Sequence, residues 1–162
     1  MKNSIYQSEL ILKMNGRLFM NALDSVTEEH AKQRISDHNN PLNWLGTHTV
    51  WARYSICAML GKPVAKNPYS GMFENFKPFD PAFKYPSLSE IKAEWNKASS
   101  LLIEALASVT EEHLAAESVL KSPTGDFTNA GTIAFLTQHE SYEIGQMALL
   151  KKYFTKEAMK YS

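Results

Sequence analysis

The six-residue sequence SVTEEH occurs twice in the chain, at residues 25–30 and at residues 108–113. The two copies are 83 residues apart (108 minus 25) in a chain of 162 residues. A repeat at about half the chain length predicts two halves of the same design. Such a chain is expected to close its hydrophobic core by packing one half against the other.

Apolar residues with helical spacing precede each copy of the repeat. In the first half, the residues that recur every three or four positions are Ile11, Met14, Leu18 and Ala22. In the second half, the residues with the same spacing are Ile91, Trp95, Ala98, Leu102 and Leu106. This spacing places each set on one face of a helix, so each half is predicted to begin with a long amphipathic helix.

The repeat itself predicts a turn that restarts a helix. Ser25 and Glu28 have the S-x-x-E spacing of a capping box, as do the equivalent residues of the second copy. Thr27 is an alternative cap. The histidines that end the two copies, His30 and His113, are expected at the surface without a part in chemistry.

A second long helix follows the repeat in each half. Asn40 and Pro41 predict an N-cap with proline at the first helical position, and Gly61 predicts the end of that helix. In the other half, Thr128 is expected to cap the last helix. No segment has the convincing alternation of a β-strand. The sequence therefore predicts an all-α four-helix bundle of two αα-hairpins, as a single domain over residues 1–162.

A long connection, residues 61–87, joins the two halves. It contains five of the seven prolines of the chain and many aromatic residues. Connections of this length are uncommon inside compact domains and are often functional. The aromatic content argues against a disordered linker. The connection is expected either to cover the bundle or to line a substrate pocket.

The charge composition excludes several classes of partner. Lysine and arginine total 17, and aspartate and glutamate also total 17. Nucleic-acid and anionic-membrane binders need a basic face, which this balance does not supply. The single cysteine, Cys57, cannot form an internal disulfide, and we expect neither a signal peptide nor a transmembrane segment in the sequence. These features predict a cytoplasmic protein that binds neither nucleic acid nor membranes.

The last predicted helix carries a carboxylate on its apolar face. Glu143 lies seven residues after Leu136 and seven before Leu150, so the three share one face. A charge that faces the bundle centre is costly unless it is paired, hydrogen-bonded or bound to a metal. His139 lies one turn earlier and can reach the same point. Gln146 follows three residues later along the same flank.

The second predicted helix offers a third side chain, His48, at the edge of its apolar face. If the two helices face each other, His48 meets His139 and Glu143. Two imidazoles and one carboxylate suit a divalent transition metal, and three protein ligands leave positions open for a substrate. A buried glutamate that is hydrogen-bonded by histidine is the alternative. Cys57 points away from this face and is expected to be inert.

Two segments resemble the DinB-like superfamily of bacterial four-helix proteins. NPLNWLGTHTVWARYSICAMLGKP resembles the second helix of that family, and LTQHESYEIGQMALLKKYF resembles its H-x-x-x-H-x-G-Q helix. The resemblance spans nearly the whole chain and implies a bundle in which three histidines bind nickel or zinc. Carried onto this sequence, His48 is the first ligand and His139 the second. Glu143 occupies the position of the third histidine.

The resemblance implies a metal-dependent enzyme, either a low-molecular-weight-thiol transferase or a hydrolase of a small molecule. Glutamate in place of histidine leaves two alternatives open. One is a metal site with a more oxygen-rich ligand set. The other is a degenerate site in a metal-free small-molecule-binding protein or dimeric scaffold. Gln146 is expected to orient a ligand, and Trp44 and Trp51 to wall a pocket. The resemblance also implies a homodimer, whereas neither the substrate nor catalysis itself follows from the sequence.

Overall fold

The computed structural model describes residues 3–161. Within them the fold is helical, apart from one isolated β-bridge between Glu117 and Thr128. The helices in chain order are α1 (Tyr6–Ala22), α2 (Glu28–Lys32), α3 (Leu42–Met59), α4 (Leu88–Ser108), α5 (Glu111–Ala115) and α6 (Asn129–Thr155). A single 3-10 turn, Glu74–Phe76, lies in the long connection. The four long helices form the predicted all-α bundle.

The packing of the long helices follows the division into two halves. Helix α3 packs against both α4 and α6, α1 packs mainly against α6, and α1 touches α4 only slightly. An exchange of the halves, α1 for α4 and α3 for α6, leaves this pattern unchanged.

No helix in the described part of the chain has both the length and the apolar character that a membrane crossing requires.

Helix α3 is buried on most of its circumference, with 12 of its 18 residues in the interior. Cys57 lies among these residues and is fully buried, although the single-face interpretation placed it away from the core. Burial raises the pKa of its thiol to about 12. This environment disfavours the thiolate and agrees with an inert cysteine.

Threonine caps the short helix that follows each long first helix. Thr27 Oγ1 accepts a hydrogen bond from the backbone N–H of His30 at 3.1 Å. Thr110 Oγ1 accepts one from the N–H of His113 at 3.2 Å. The predicted serine–glutamate capping box was therefore wrong in both copies. Ser25 has a φ of 60°, which is left-handed, whereas an N-cap residue needs an extended backbone.

The first glutamate of each repeat binds the opposite half of the chain. Glu28 Oε1 accepts a hydrogen bond from the N–H of Leu88, the first residue of α4, at 2.8 Å. Glu111 Oε1 accepts one from the N–H of Ser4, just before α1, at 2.9 Å. Each copy thus satisfies a backbone amide where the first long helix of the other half begins. This shared task accounts for the repeated sequence.

The last histidine of each repeat also contacts the opposite half. His113 Nε2 lies 2.7 Å from the carbonyl oxygen of Met59 at the end of α3. The His30 ring stacks on Phe154 in the last turn of α6, with centroids 5.7 Å apart. Both histidines are half-buried. The prediction that they lie free on the surface was wrong, and the contacts they make are between halves of the bundle.

The predicted ends of α3 and the predicted cap of α6 are confirmed, except that the N-cap of α3 lies one residue later than predicted. Pro41, rather than the asparagine before it, occupies the N-cap position of α3, which begins at Leu42. Gly61 follows the helix with a φ of 84°, a conformation that suits glycine. Thr128 caps α6 as predicted, because its Oγ1 accepts a hydrogen bond from the N–H of Gly131 at 3.1 Å.

The long connection covers part of the bundle. Tyr69 and Phe73 are buried in the main core cluster. Asn67 Nδ2 donates a hydrogen bond to the carbonyl oxygen of Trp51 on α3 at 3.1 Å. Phe76 is fully exposed and covers nothing. The connection is therefore packed on α3 at selected aromatic residues rather than along its whole length.

Candidate metal centre

The carboxylate of Glu143 lies inside the bundle, and the residue is 3% exposed. Its Oε2 accepts a hydrogen bond from Thr49 Oγ1 on α3 at 3.0 Å. Its Oε1 faces two imidazoles, with His139 Nε2 at 3.3 Å and His48 Nδ1 in direct hydrogen-bond contact. The helical spacing that predicted a buried carboxylate therefore identified both histidines that meet it.

Aromatic rings hold His48 in place. Trp44 and Trp51, both on α3, lie nearly parallel to the imidazole with centroids 4.9 and 5.4 Å away. Phe73 from the long connection meets the same ring edge-on at 4.8 Å. The two tryptophans thus pack directly on the histidine. The connection completes this aromatic enclosure, which restricts the orientation of the imidazole.

His139 forms the more open side of the cluster. Its side chain is 31% exposed, compared with 15% for His48 and 4% for Glu143. The two imidazole centroids are 5.5 Å apart, and Phe135 stacks on His139 at 6.0 Å. A small molecule or ion therefore reaches the carboxylate most directly from the His139 side.

Opposing influences set the charges of the cluster. Burial is the strongest single influence on Glu143 and raises its pKa, but the hydrogen bonds from His139 and His48, together with the charges of both imidazoles, outweigh burial, so the pKa is lowered. The hydrogen bond to Glu143 is the main reason that the pKa of His139 is raised, while burial acts in the opposite direction. Without a bound ion, the pair is therefore stabilised as imidazolium and carboxylate.

The donor set suits a divalent transition metal. Two imidazole nitrogens and one carboxylate oxygen, from His48, His139 and Glu143, lie within 4.8 Å of one another. Tetrahedral ligands about 2.0–2.1 Å from zinc are about 3.3 Å apart, and His139 Nε2 is 3.3 Å from Glu143 Oε1. His48 Nδ1 is in direct hydrogen-bond contact with the same oxygen, so the two atoms must separate to bind one ion. Thr49 binds the other carboxylate oxygen and leaves Oε1 directed at the imidazoles. The three residues could therefore hold a metal ion.

Gln146 lies three residues after Glu143 in the sequence and is half-buried. Among residues 3–161 no hydrogen bond joins its side chain to His48, His139 or Glu143. Its predicted role in orienting a ligand stays a prediction. Tyr142, beside Glu143 in sequence, is 60% exposed and faces solvent.

A second buried charged pair, which the sequence interpretation missed, lies beside the cluster. Arg53 is 1% exposed and Glu140 is fully buried. Arg53 Nε and Nη2 donate to the two carboxylate oxygens of Glu140 at 2.9 and 2.7 Å. Asn15 Nδ2 on α1 donates to the same carboxylate at 3.1 Å, and Arg53 Nη1 donates to Ser99 Oγ on α4 at 2.8 Å. The network therefore joins all four long helices.

A sequence signal for this pair existed. Glu140 lies seven residues after Ile133 and seven before Met147, the same spacing that identified Glu143. Arg53 and Glu140 also occupy equivalent places in the two halves. Arg53 is 12 residues beyond the N-cap of α3 (53 minus 41), and Glu140 is 12 beyond the N-cap of α6 (140 minus 128).

Comparison with known proteins identifies one family. The family model described as the DinB superfamily matches residues 11–147, which is 137 of the 162 residues (147 minus 11, plus one). The matched region contains His48, His139 and Glu143, so the resemblance noted in the sequence is confirmed. No curated protein matches the chain.

Proposed function

The chain belongs to the DinB superfamily, and we propose on this premise that it binds one divalent transition metal, nickel or zinc, through His48, His139 and Glu143. One observation carries the proposal. Donor atoms from two separate helices converge within 4.8 Å, in a part of the bundle where an isolated carboxylate is costly. The three protein ligands leave further positions open, as in catalytic metal sites.

The proposed activity is transfer of a low-molecular-weight thiol or hydrolysis of a small substrate. A bound ion of this type stabilises a thiolate or lowers the pKa of a water molecule. The thiol in such a reaction would be a substrate, because Cys57 is the only cysteine and is fully buried. His139 gives access from solvent, while Trp44 and Phe73 exclude water from the His48 side. These features support a metal-dependent enzyme.

A metal-free small-molecule-binding or scaffold protein is the second candidate function. The observation that favours it is the complete set of partners that Glu143 has within the protein. His48 and His139 bind one carboxylate oxygen and Thr49 binds the other. A buried carboxylate with these partners needs no ion to satisfy it.

Metal content distinguishes the two candidates. Protein produced without a histidine tag is analysed by elemental mass spectrometry, together with His139→Ala, Glu143→Gln and the control His38→Ala, whose histidine is exposed. The wild type and the control are expected to retain about one nickel or zinc ion per chain. The two site variants are expected to lose it. Thr49→Val is expected to weaken binding about ten-fold, because it releases the second carboxylate oxygen.

Two results would decide against the metal assignment. Equal metal content in the wild type and in His139→Ala would show that the ion is bound elsewhere. Wild-type protein without metal, whose melting temperature does not change when nickel or zinc is added, would favour the metal-free candidate. The His38→Ala control separates loss of a ligand from a general loss of histidine.

We also propose a homodimer that forms through α6. Tyr142, Leu149 and Tyr153 are 60%, 63% and 50% exposed and lie along one face of this helix. Gly145 on the same face has open space around it, which allows a second helix to approach closely. Leu149→Glu is expected to give a monomer by light scattering. A wild-type monomer at every concentration tested would contradict the proposal.

A further inference from the structure

Two cavities share one aromatic wall in the long connection. The residues that line both cavities are Phe79, Pro81, Phe83 and Tyr85. The cavities have volumes of about 510 and 570 Å³, and small-molecule sites commonly begin at about 300 Å³. Neither cavity is lined by the candidate metal ligands. The larger cavity extends from the wall towards α2 and the starts of α3 and α4.

The aromatic wall is held in a defined shape. The rings of Phe79 and Tyr85 stack with centroids 5.6 Å apart, and Phe83 meets Tyr85 at 5.0 Å. The Tyr85 hydroxyl accepts a hydrogen bond from the N–H of Asp80 at 3.0 Å. Phe83 remains 47% exposed. The wall therefore presents a fixed aromatic ring on which another ring can stack.

The carboxylates of the larger cavity are already bound within the protein. Glu28 accepts the hydrogen bond from the N–H of Leu88 at 2.8 Å. Glu90 Oε2 accepts hydrogen bonds from the N–H and the hydroxyl of Ser87 at 2.8 and 2.7 Å. These contacts lower the pKa of Glu90, led by the bond from the Ser87 side chain. Both carboxylates are used at the start of α4.

The lysines of the larger cavity are less engaged by contrast, and of the two only Lys84 contributes, through its charge, to the lowered pKa of Glu90. Arg34 is held, because its Nε donates to the carbonyl oxygen of Asn39 at 2.6 Å and its guanidinium lies 5.2 Å from the Phe79 ring centroid. Lys32 and Lys84 form no ion pair within residues 3–161. The cavity lining holds three cations and two carboxylates, a formal charge of +1 (three minus two).

We propose that the larger cavity binds a small molecule that combines an aromatic ring with one anionic group. The ring stacks on Phe83, and the anionic group pairs with the ammonium groups of Lys32 and Lys84. A cationic ligand would meet a lining with three cations, and one oxygen of each carboxylate is already bound to a backbone amide. The site is separate from the His48, His139 and Glu143 cluster and therefore adds a second binding function to the proposed one.

Three naphthalene probes test the proposal by isothermal titration calorimetry on the full chain. They are naphthalene carboxylate, the neutral carboxamide and the cationic naphthylmethylammonium, which share the ring and differ in charge. The carboxylate is expected to bind, and the other two to bind about ten-fold more weakly, because each exposed ion pair contributes about two- to five-fold in affinity. Equal affinity for the carboxylate and the carboxamide would overturn the role of the lysines.

Variants locate the binding. Lys32→Met combined with Lys84→Met is expected to weaken the carboxylate about ten-fold. The matched control replaces Lys62 and Lys66, which are exposed lysines of the same connection outside both cavities. An equal loss in this control would overturn the site.

Two further measurements complete the test. Phe83→Ala is expected to weaken all three probes, because it removes the stacking surface. Glu143→Gln is expected to leave carboxylate binding unchanged, and loss of binding there would place the ligand at the metal cluster instead. No heat with any probe at millimolar concentration would overturn the proposal while leaving the metal assignment intact.

Discussion

Loss of one partner of the buried Arg53–Glu140 pair is expected to have a large effect on the stability of this fold. Glu140→Leu leaves the Arg53 guanidinium, in a residue that is 1% exposed, without the two hydrogen bonds of 2.9 and 2.7 Å that neutralise it. Removal of one partner of a buried pair costs about 3–5 kcal/mol. Two charged hydrogen bonds at about 1.5–3 kcal/mol each lead to a similar figure. For a chain of this length the loss corresponds to a melting temperature lower by about 6–20 °C.

Removal of both charges is expected to cost much less than the sum of the single substitutions. The double variant Arg53→Met/Glu140→Leu leaves neither charge of this pair. Asn15 keeps its second hydrogen bond, to Ser141 Oγ at 2.9 Å, whereas Ser99 loses its partner. One unpaired neutral group costs about 1–3 kcal/mol. If each single variant loses about 4 kcal/mol and the double variant about 1–3 kcal/mol, the coupling energy of the pair is about 5–7 kcal/mol (4 plus 4, minus 1–3).

Urea unfolding followed by circular dichroism measures these differences, with a chelator present so that metal binding does not contribute. Lys13→Met is the control, because it breaks an exposed ion pair with Glu9 at 2.5 Å. Exposed pairs of this kind contribute at most about 1 kcal/mol. If Glu140→Leu costs no more than Lys13→Met, or if the double variant loses the full sum, the reasoning from buried charge is refuted.

Two other outcomes are expected. In chelator-treated protein the His139–Glu143 pair should stabilise the fold most between about pH 4.5 and 6.5. The lowered pKa of Glu143 gives a contribution that is lost as pH falls below this window, and the raised pKa of His139 gives one that is lost as pH rises above it. Urea midpoints of wild type and Glu143→Gln across pH check this, and a constant difference would contradict it. Thr27→Ala should lower the free energy of unfolding by about 1 kcal/mol, and Ser25→Ala should lower it much less. Urea unfolding measures both changes, and equal losses would contradict the observed cap.

Helical periodicity predicted the long helices and the buried carboxylate, because burial on one face leaves a regular mark in the sequence. The apolar residues seven positions before and after Glu143 carried this mark, and the apolar residues seven positions before and after Glu140 carried it too. The choice of cap was not predictable, since Ser25 and Thr27 both have suitable side chains. In the first copy Ser25 has a left-handed backbone, and in the second copy Ser108 is the last residue of α4, so neither serine has the extended backbone of an N-cap.

Arg53, the partner of Glu140, could not be predicted from residue spacing along one helix, and the reason is physical. Helix α3 is buried by α4, by α6 and by the long connection, so a wheel with one apolar face does not describe it. On α3 alone the position of Arg53 does not stand out, and only the comparison with Glu140 in the other half marks it. Cys57 was assigned to the wrong side. The contacts that place both residues come from packing between helices, which sequence spacing along one helix does not contain.

The two buried glutamates of α6 differ in what holds their charge, and this difference favours Glu143 over Glu140 as a metal ligand. Glu140 is paired with Arg53, whose guanidinium stays protonated and cannot coordinate a metal. Glu143 is paired with imidazoles, which can release their protons and bind a cation through the same nitrogens. On α3, His48 comes before Arg53 in the chain. On α6 their partners come in the reverse order, because Glu140 pairs with Arg53 and Glu143 pairs with His48. The two pairs therefore fix one antiparallel register of α3 and α6. The Arg53–Glu140 pair can thus hold α3 and α6 in place, while the imidazoles that pair with Glu143 can exchange their protons for a metal ion.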